Sequence, residues 1–150
     1  MAQRWWSAPM EGESGRTVIV TGRDNMEKIM AKGKMPYLIR VSWHYEQLPD
    51  GMPVERDAEL MGQVHDAFEA TFSKDKAAYL VAVFTGEGRR DWLFYTGNLN
   101  IFNKVFNRAL EDIEETIPFE IEAQSDPDWE EYKEMYELTY IPEDESEEND

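Results

Sequence analysis

No cysteine occurs among the 150 residues, which excludes disulfides, thiolate nucleophiles and cysteine-ligated zinc and is compatible with a reducing compartment. Histidine is almost as scarce. His44 and His65 are the whole supply, they fall on different predicted elements, and zinc generally asks for three or four protein ligands. No stretch approaches the roughly 20 apolar residues of a spanning helix, and the first residues hold no apolar signal-peptide core. No Gly-x-Gly-x-x-Gly, Walker, Gly-x-Ser-x-Gly or His-Glu-x-x-His pattern is present. These absences predict a cytoplasmic protein with no metal, no cofactor and no membrane partner.

Bases are outnumbered, 15 Lys and Arg against 32 Asp and Glu, for a net charge of −17. The stretch 142–150 carries six of the acids and no base, so the remainder still stands at −11. Acidity therefore belongs to the folded body, predicted as one domain over residues 1–141, as well as to an acidic tail at 142–150 that is expected to be disordered. Such a surface repels phosphate backbones, and no nucleic acid is expected as a partner. A basic protein partner is favoured instead, with attraction screened beyond about 8 Å in physiological salt. Solubility alone is the competing explanation of the charge.

What is present is folding material: 41% hydrophobic and 13% aromatic residues. Residues 4–10 and 16–21 read as a hairpin, and 24–32 as a short helix that Asp24 or Asn25 caps and Gly33 ends. Residues 37–45 alternate cleanly, with Tyr37, Ile39, Val41, Trp43 and Tyr45 on one face and Leu38, Arg40, Ser42 and His44 on the other. After an Asp50-Gly51 turn, 55–72 shows the 3.6-residue period of an amphipathic helix through Leu60, Met61, Val64, Phe68 and Phe72. Residues 77–84 suit a strand buried on both faces, turned by Gly86-Glu87-Gly88 into 90–95. Asn98 caps a second helix whose stripe runs from Phe102 through Ile113. Residues 119–124 alternate with Phe119, Ile121 and Ala123 facing in. A last helix starts at Asp126 with Pro127 in its first position, and Trp129, Tyr132, Tyr136 and Tyr140 line one side. The order predicts an α+β fold: a ferredoxin-like β-α-β-β-α-β sandwich with an antiparallel sheet, both helices on one face, an added N-terminal β-hairpin and a C-terminal helix.

Three segments carry a resemblance: the Asp50-Gly51-Met52-Pro53 turn, the Trp92-Leu93-Phe94-Tyr95-Thr96 strand, and Asp126-Pro127-x-Trp129-x-x-Tyr132. In that order and spacing the chain resembles the bacterial family called domain of unknown function 695. The family has no established activity. Some of its relatives are similar to, or joined with, a domain resembling regulator of ribonuclease E activity B, and the resemblance implies a regulatory role only by analogy of size, fold and charge.

Two candidate surfaces follow. On the sheet face opposite the two long helices, Arg40 and His44 lie beside Glu120, Glu122 and Gln124. One parity of the 90–95 strand adds Trp92, the other Tyr95. The acids point to a small cationic or neutral ligand or a basic peptide there; the structural alternative has Trp5 or Trp6 covering the face and Arg40 paired with Glu120 or Glu122. His44 beside a glutamate is also a candidate acid–base pair, whereas His65 reads as structural. The second surface is the aromatic stripe of Trp129 and Tyr132, packed either at home or on a partner. The carboxylates at 126–131 suit a helix N-terminus better than a cation. The preferred expectation is a non-enzymatic interaction or regulatory module that binds a basic partner, as monomer or homodimer. The alternative is a small-molecule-binding or catalytic domain built around Arg40 and His44.

Overall fold

The computed structural model describes residues 4–142; the acidic stretch beyond Pro142 lies outside the described residues. Six strands form one antiparallel sheet: β1 (Trp5–Glu11), β2 (Thr17–Arg23), β3 (Tyr37–His44), β4 (Ala78–Gly86), β5 (Arg89–Thr96) and β6 (Glu120–Ser125). They run in the order β1-β2-β4-β5-β3-β6. The α+β class and the antiparallel sheet are those predicted, with six strands in the sheet because the added N-terminal hairpin joins it. The hairpin pairs with β4, Val20 opposite Phe84, and widens the sheet.

Helices α2 (Glu55–Lys74) and α3 (Leu99–Ala109) lie on one face, where Met61, Val64, Phe68, Phe72, Phe102, Val105 and Phe106 meet Ile39, Val41, Trp43, Trp92 and Phe94. Phe68 is the hub, edge-on to Trp92 at 5.4 Å and stacked on Phe106 at 5.4 Å. Each fully buried side chain of this size contributes about 1.5–3 kcal/mol by leaving water. Asn98 caps α3 as its sequence position predicts, its side chain accepting from the Ile101 N–H at 3.0 Å. The helix stops at Ala109, so Ile113 falls beyond it.

The opposite face is covered by α4 (Glu130–Thr139) and bordered by the short α1 (Glu27–Ala31). Trp6, Val20, Leu38, Leu93, Tyr95, Trp129, Tyr132 and Met135 form this second core. A register irregularity between Leu80 and Ala82 switches the parity of β4, so that Leu80 packs in the α2–α3 core and Ala82 in the α4 core.

Several boundaries move for local reasons. Helix α1 has Met26 as its N-cap without a side-chain bond; Asp24 instead accepts from Asn25, whose φ is 66°. Asp126 does not start α4. Asp126-Pro127-Asp128 is a turn, and the helix begins four residues later behind Trp129. Phe119 precedes β6 and packs into the α2–α3 core, but every residue of β6 is exposed, Ile121 and Ala123 included, so those two do not face in as predicted.

Candidate functional site

Strand alternation decides what shares the α4-side face. In β3, Arg40 lies opposite Leu93 of β5, Ser42 opposite Asp91 and His44 opposite Arg89. On its other side Arg40 lies opposite Glu122 and Ser42 opposite Glu120. The guanidinium of Arg40 does not pair with Glu120 or Glu122. Its Nη1 sits 3.4 Å from Asp91 Oδ2 and its Nη2 3.7 Å from Glu131 Oε2, because Asp91 is enclosed while the β6 acids project from an edge. Asp91 keeps only 4% of its side chain exposed and takes a second cation, Arg89 Nη2, at 3.0 Å on the same oxygen. Its other oxygen, Oδ1, is buried without a hydrogen-bond partner. His44 pairs with Glu120 at 3.3 Å in the open.

Helix α4 leaves one end of this face uncovered. A depression of about 380 Å³ remains there, floored by Val18, Phe84, Arg40 and Asp91 and flanked by Met10 and Arg89. Glu11, Glu13 and Glu87 stand at its rim. Glu87 is fixed by the β1–β2 loop: Ser14 Oγ donates to Oε1 at 2.5 Å, Ser14 N–H to Oε2 at 2.7 Å, and Arg16 Nε lies 3.2 Å away. These bonds, Ser14 foremost, hold the Glu87 carboxyl below its ordinary pKa. The Trp6 ring does not fill the depression. It packs beneath α4 against Tyr136 and Tyr140 and donates from Nε1 to Thr139 Oγ1 at 3.1 Å. Trp5, one residue away and so on the other face, lies edge-on to His65.

Of the other anticipated site residues, Trp92 is separated from Arg40 by the sheet itself. It is fully buried under α2, and its Nε1 donates to His65 Nδ1 at 3.3 Å. Tyr95 shares the Arg40 face but is buried beneath α4, and Tyr132 of α4 and Trp129 at its N-terminus are themselves buried against that face. The Tyr95 hydroxyl donates to Asp126 Oδ2 at 2.6 Å, and Asp126 in turn accepts from the N–H groups of Glu130 and Glu131. Burial, reinforced by that carboxylate, raises the Tyr95 pKa well above the ordinary phenol value. Tyr132 donates to the Arg23 carbonyl at 2.6 Å, and Trp129 Nε1 to the Met35 carbonyl at 2.9 Å. The Asp50–Pro53 turn is a fastener too: Gly88 N–H and Tyr45 Oη both donate to the Gly51 carbonyl, at 3.1 and 2.7 Å. The residues that make the chain recognisable therefore hold its layers together.

Sequence reasoning missed Asp91 and Arg89 as site residues, and it placed Glu131 only among the carboxylates of a helix start. Arg89 and Asp91 alternate in phase with Leu93 and Tyr95, a signal that locates them only once the register of β5 on β3 is known. A second depression, about 400 Å³ between α2 and β4, was equally unforeseen; there the Arg23 guanidinium lies 5.8 Å from the Trp5 ring and 6.0 Å from that of Tyr79. Among the described residues no group of three or more His, Asp or Glu is placed to hold a metal ion, and no helix is long and apolar enough to cross a membrane.

Fold and surface together define an α+β domain with a six-stranded antiparallel sheet, four helices and an acid-rimmed opening at one end of the α4-side face. The chain belongs to the Family of unknown function (DUF695), whose model matches residues 5–136. Comparison with curated proteins and with solved structures returned no match.

Proposed function

We propose that this domain is a non-enzymatic interaction module whose open sheet face receives a basic segment of a protein partner. The observation that carries the reading is the distribution of charge. Asp91 engages both Arg40 and Arg89 and cancels one of their two positive charges, and the acids around them outnumber the charge that is left. Glu11, Glu13 and Glu87 on one side and Glu120, Glu122 and Glu131 on the other then set the sign of the field. Lysine or arginine side chains reaching this rim gain Coulomb energy, while Met10, Val18 and Phe84 offer an apolar floor to their stems. A cytoplasmic setting fits this role. We also read strands β4-β5-β3-β6, with α2 and α3, as a ferredoxin-like unit that the β1–β2 hairpin extends at its β4 edge.

Fluorescence anisotropy of a labelled lysine-rich peptide tests the role. Affinity should fall steeply between low and high salt, and Glu13→Lys with Glu131→Lys should weaken it about tenfold. No binding at low salt removes the reading.

One observation favours a second reading. Asp91 Oδ1, buried and unpartnered beside the depression, suits an N–H donor of a small cationic ligand. Melting temperatures measured with small amines and guanidines decide this: stabilisation lost in Asp91→Ala supports it, and no shift with any of them dismisses it.

A further inference from the structure

The two edges of the sheet are built differently. Along β1, the bonds from Gly12 N–H to the Arg16 carbonyl and from Asp24 N–H to the Arg4 carbonyl fix which pairs are hydrogen-bonded. Pro9, opposite Ile19, falls between them, so its nitrogen faces outward. A proline there removes an outward N–H donor and blunts the edge against a further strand.

No such device interrupts β6. Its register against β3 is continuous from Ser125, opposite Tyr37, to Glu120, opposite Ser42. It contains neither proline nor bulge, and among the described residues it pairs with β3 alone. The bond from Asp126 N–H to the Pro36 carbonyl sets the alternation. By it, Glu120, Glu122 and Gln124 spend their backbone groups on β3, whereas Ile121, Ala123 and Ser125 point theirs outward. A flat run of donors and acceptors is thus open along an exposed strand.

Charge selects the occupant. Opposite residues in an antiparallel pair share a face. A second copy of β6 would therefore set Glu120 and Glu122 against Glu120, Glu122 or Gln124, and like charges directly opposite are destabilising. Beside them on the same face lies Glu131, close to Arg40. On the other face Ile121 is 45% exposed. The complementary strand carries lysine or arginine toward the acids and β-branched apolar residues toward Ile121 and Ala123.

We infer that β6 is a strand-addition site for an extended segment of a protein partner in which basic and β-branched residues alternate. This rests on the basic-partner reading above and gives that partner a further contact, along the β6 edge. Main-chain bonds to Ile121, Ala123 and Ser125 supply affinity, and the alternating side chains supply specificity.

Amide hydrogen exchange and anisotropy are measured with an acetylated, amidated peptide of alternating lysine and valine, against a peptide of the same composition with the two residue types in separate blocks. The inference predicts that the alternating peptide slows exchange at Ile121, Ala123 and Ser125 and binds at least about tenfold more tightly than the block peptide. Ala123→Pro, which copies Pro9 at a position where no bond to β3 is lost, should abolish that advantage. N-methylation of the peptide along one edge should do the same without touching the protein. If Ala123→Pro folds and both modifications leave binding unchanged while Glu120→Lys with Glu122→Lys removes it, contact is by charge alone: strand addition falls and the basic-partner reading stands. If neither peptide binds at low salt, both fall. A dimer that Ala123→Pro converts to monomer would make a second copy the occupant and overturn the inference.

Discussion

The phenol of Tyr95 lies flat on the indole of Trp129, ring centroids 4.1 Å apart and planes 7° from parallel. This stack joins a central strand to the segment that launches α4, and it explains a backbone anomaly. Trp129 has φ 57° and ψ 42°, the left-handed region, which costs an ordinary residue roughly 1–2 kcal/mol. The stack, the bond from its indole N–H to Met35 and the Asp126 cap over-determine the position, so the strain is held rather than relaxed.

Trp129→Ala should accordingly lower stability by about 3–5 kcal/mol, the range for emptying a large buried aromatic site. Tyr95→Phe keeps most of the stack and should cost about 1–3 kcal/mol, through the buried Asp126 oxygen left short of a donor. Urea unfolding midpoints read both. Equal, small losses would mean that α4 docks by other contacts.

Alkaline pH provides an independent probe of burial. Enclosure raises the pKa of Tyr45 from 10.0 to about 12, and raises those of Tyr95 and Tyr132 as well. Below the unfolded value near 10 both states keep the proton, and the stability tied to it is fully present. As pH climbs from there through the folded values, only the unfolded chain ionises readily, and stability falls. The melting temperature should hold between pH 7 and about 9.5 and then decline, less steeply in Tyr95→Phe. A flat profile to pH 12 would contradict the burial of these phenols.

Much of this arrangement was legible in the chain. Ile39, Val41 and Trp43 announced one face of β3 and Arg40, Ser42 and His44 the other, because a half-buried strand has period two. Phe68 and Phe102 announced helices by period 3.6. What was not legible depends on partners distant in sequence. No local pattern says that Trp92 rather than Tyr95 lies under α2, since both parities of β5 are apolar. Nor does the alternation of Glu120 to Gln124 reveal that Ile121 is bare, because alternation says which residues share a face and not whether that face is covered. The pairing of Arg40 with Asp91 joins residues 51 positions apart, a link that only the register of β3 on β5 establishes.

Close approach of backbone to ring predicts the behaviour of Gly22. A Cβ built there would stand 2.3–2.8 Å from three carbons of the six-membered ring of Trp6, far inside van der Waals contact, and that side chain is boxed in by Tyr136 and Tyr140. Gly22→Ala should cost about 1–3 kcal/mol and shift tryptophan emission to the red as the indole is displaced. Unchanged emission and stability would argue against the placement of α4 over Trp6.

Asp91→Ala separates structure from binding. Its two arginine partners are 25% and 48% exposed, so solvent screens their repulsion and the stability loss should stay near 1–2 kcal/mol. Freed of their counter-ion, Arg40 and Arg89 should repel a lysine-rich peptide and weaken its binding several-fold in low salt. Unaltered affinity would place the contact elsewhere.

The most direct measurement is a nitrogen–proton correlation spectrum of the labelled protein titrated with a lysine-rich peptide in low salt. Shifts should gather on Glu11, Glu13, Arg40, His44, Arg89, Asp91, Glu120, Glu122 and Glu131 and fade as salt is raised. Shifts confined to the α2–α3 face, or none at all, would contradict the assignment of this acid-rimmed sheet end as the binding surface.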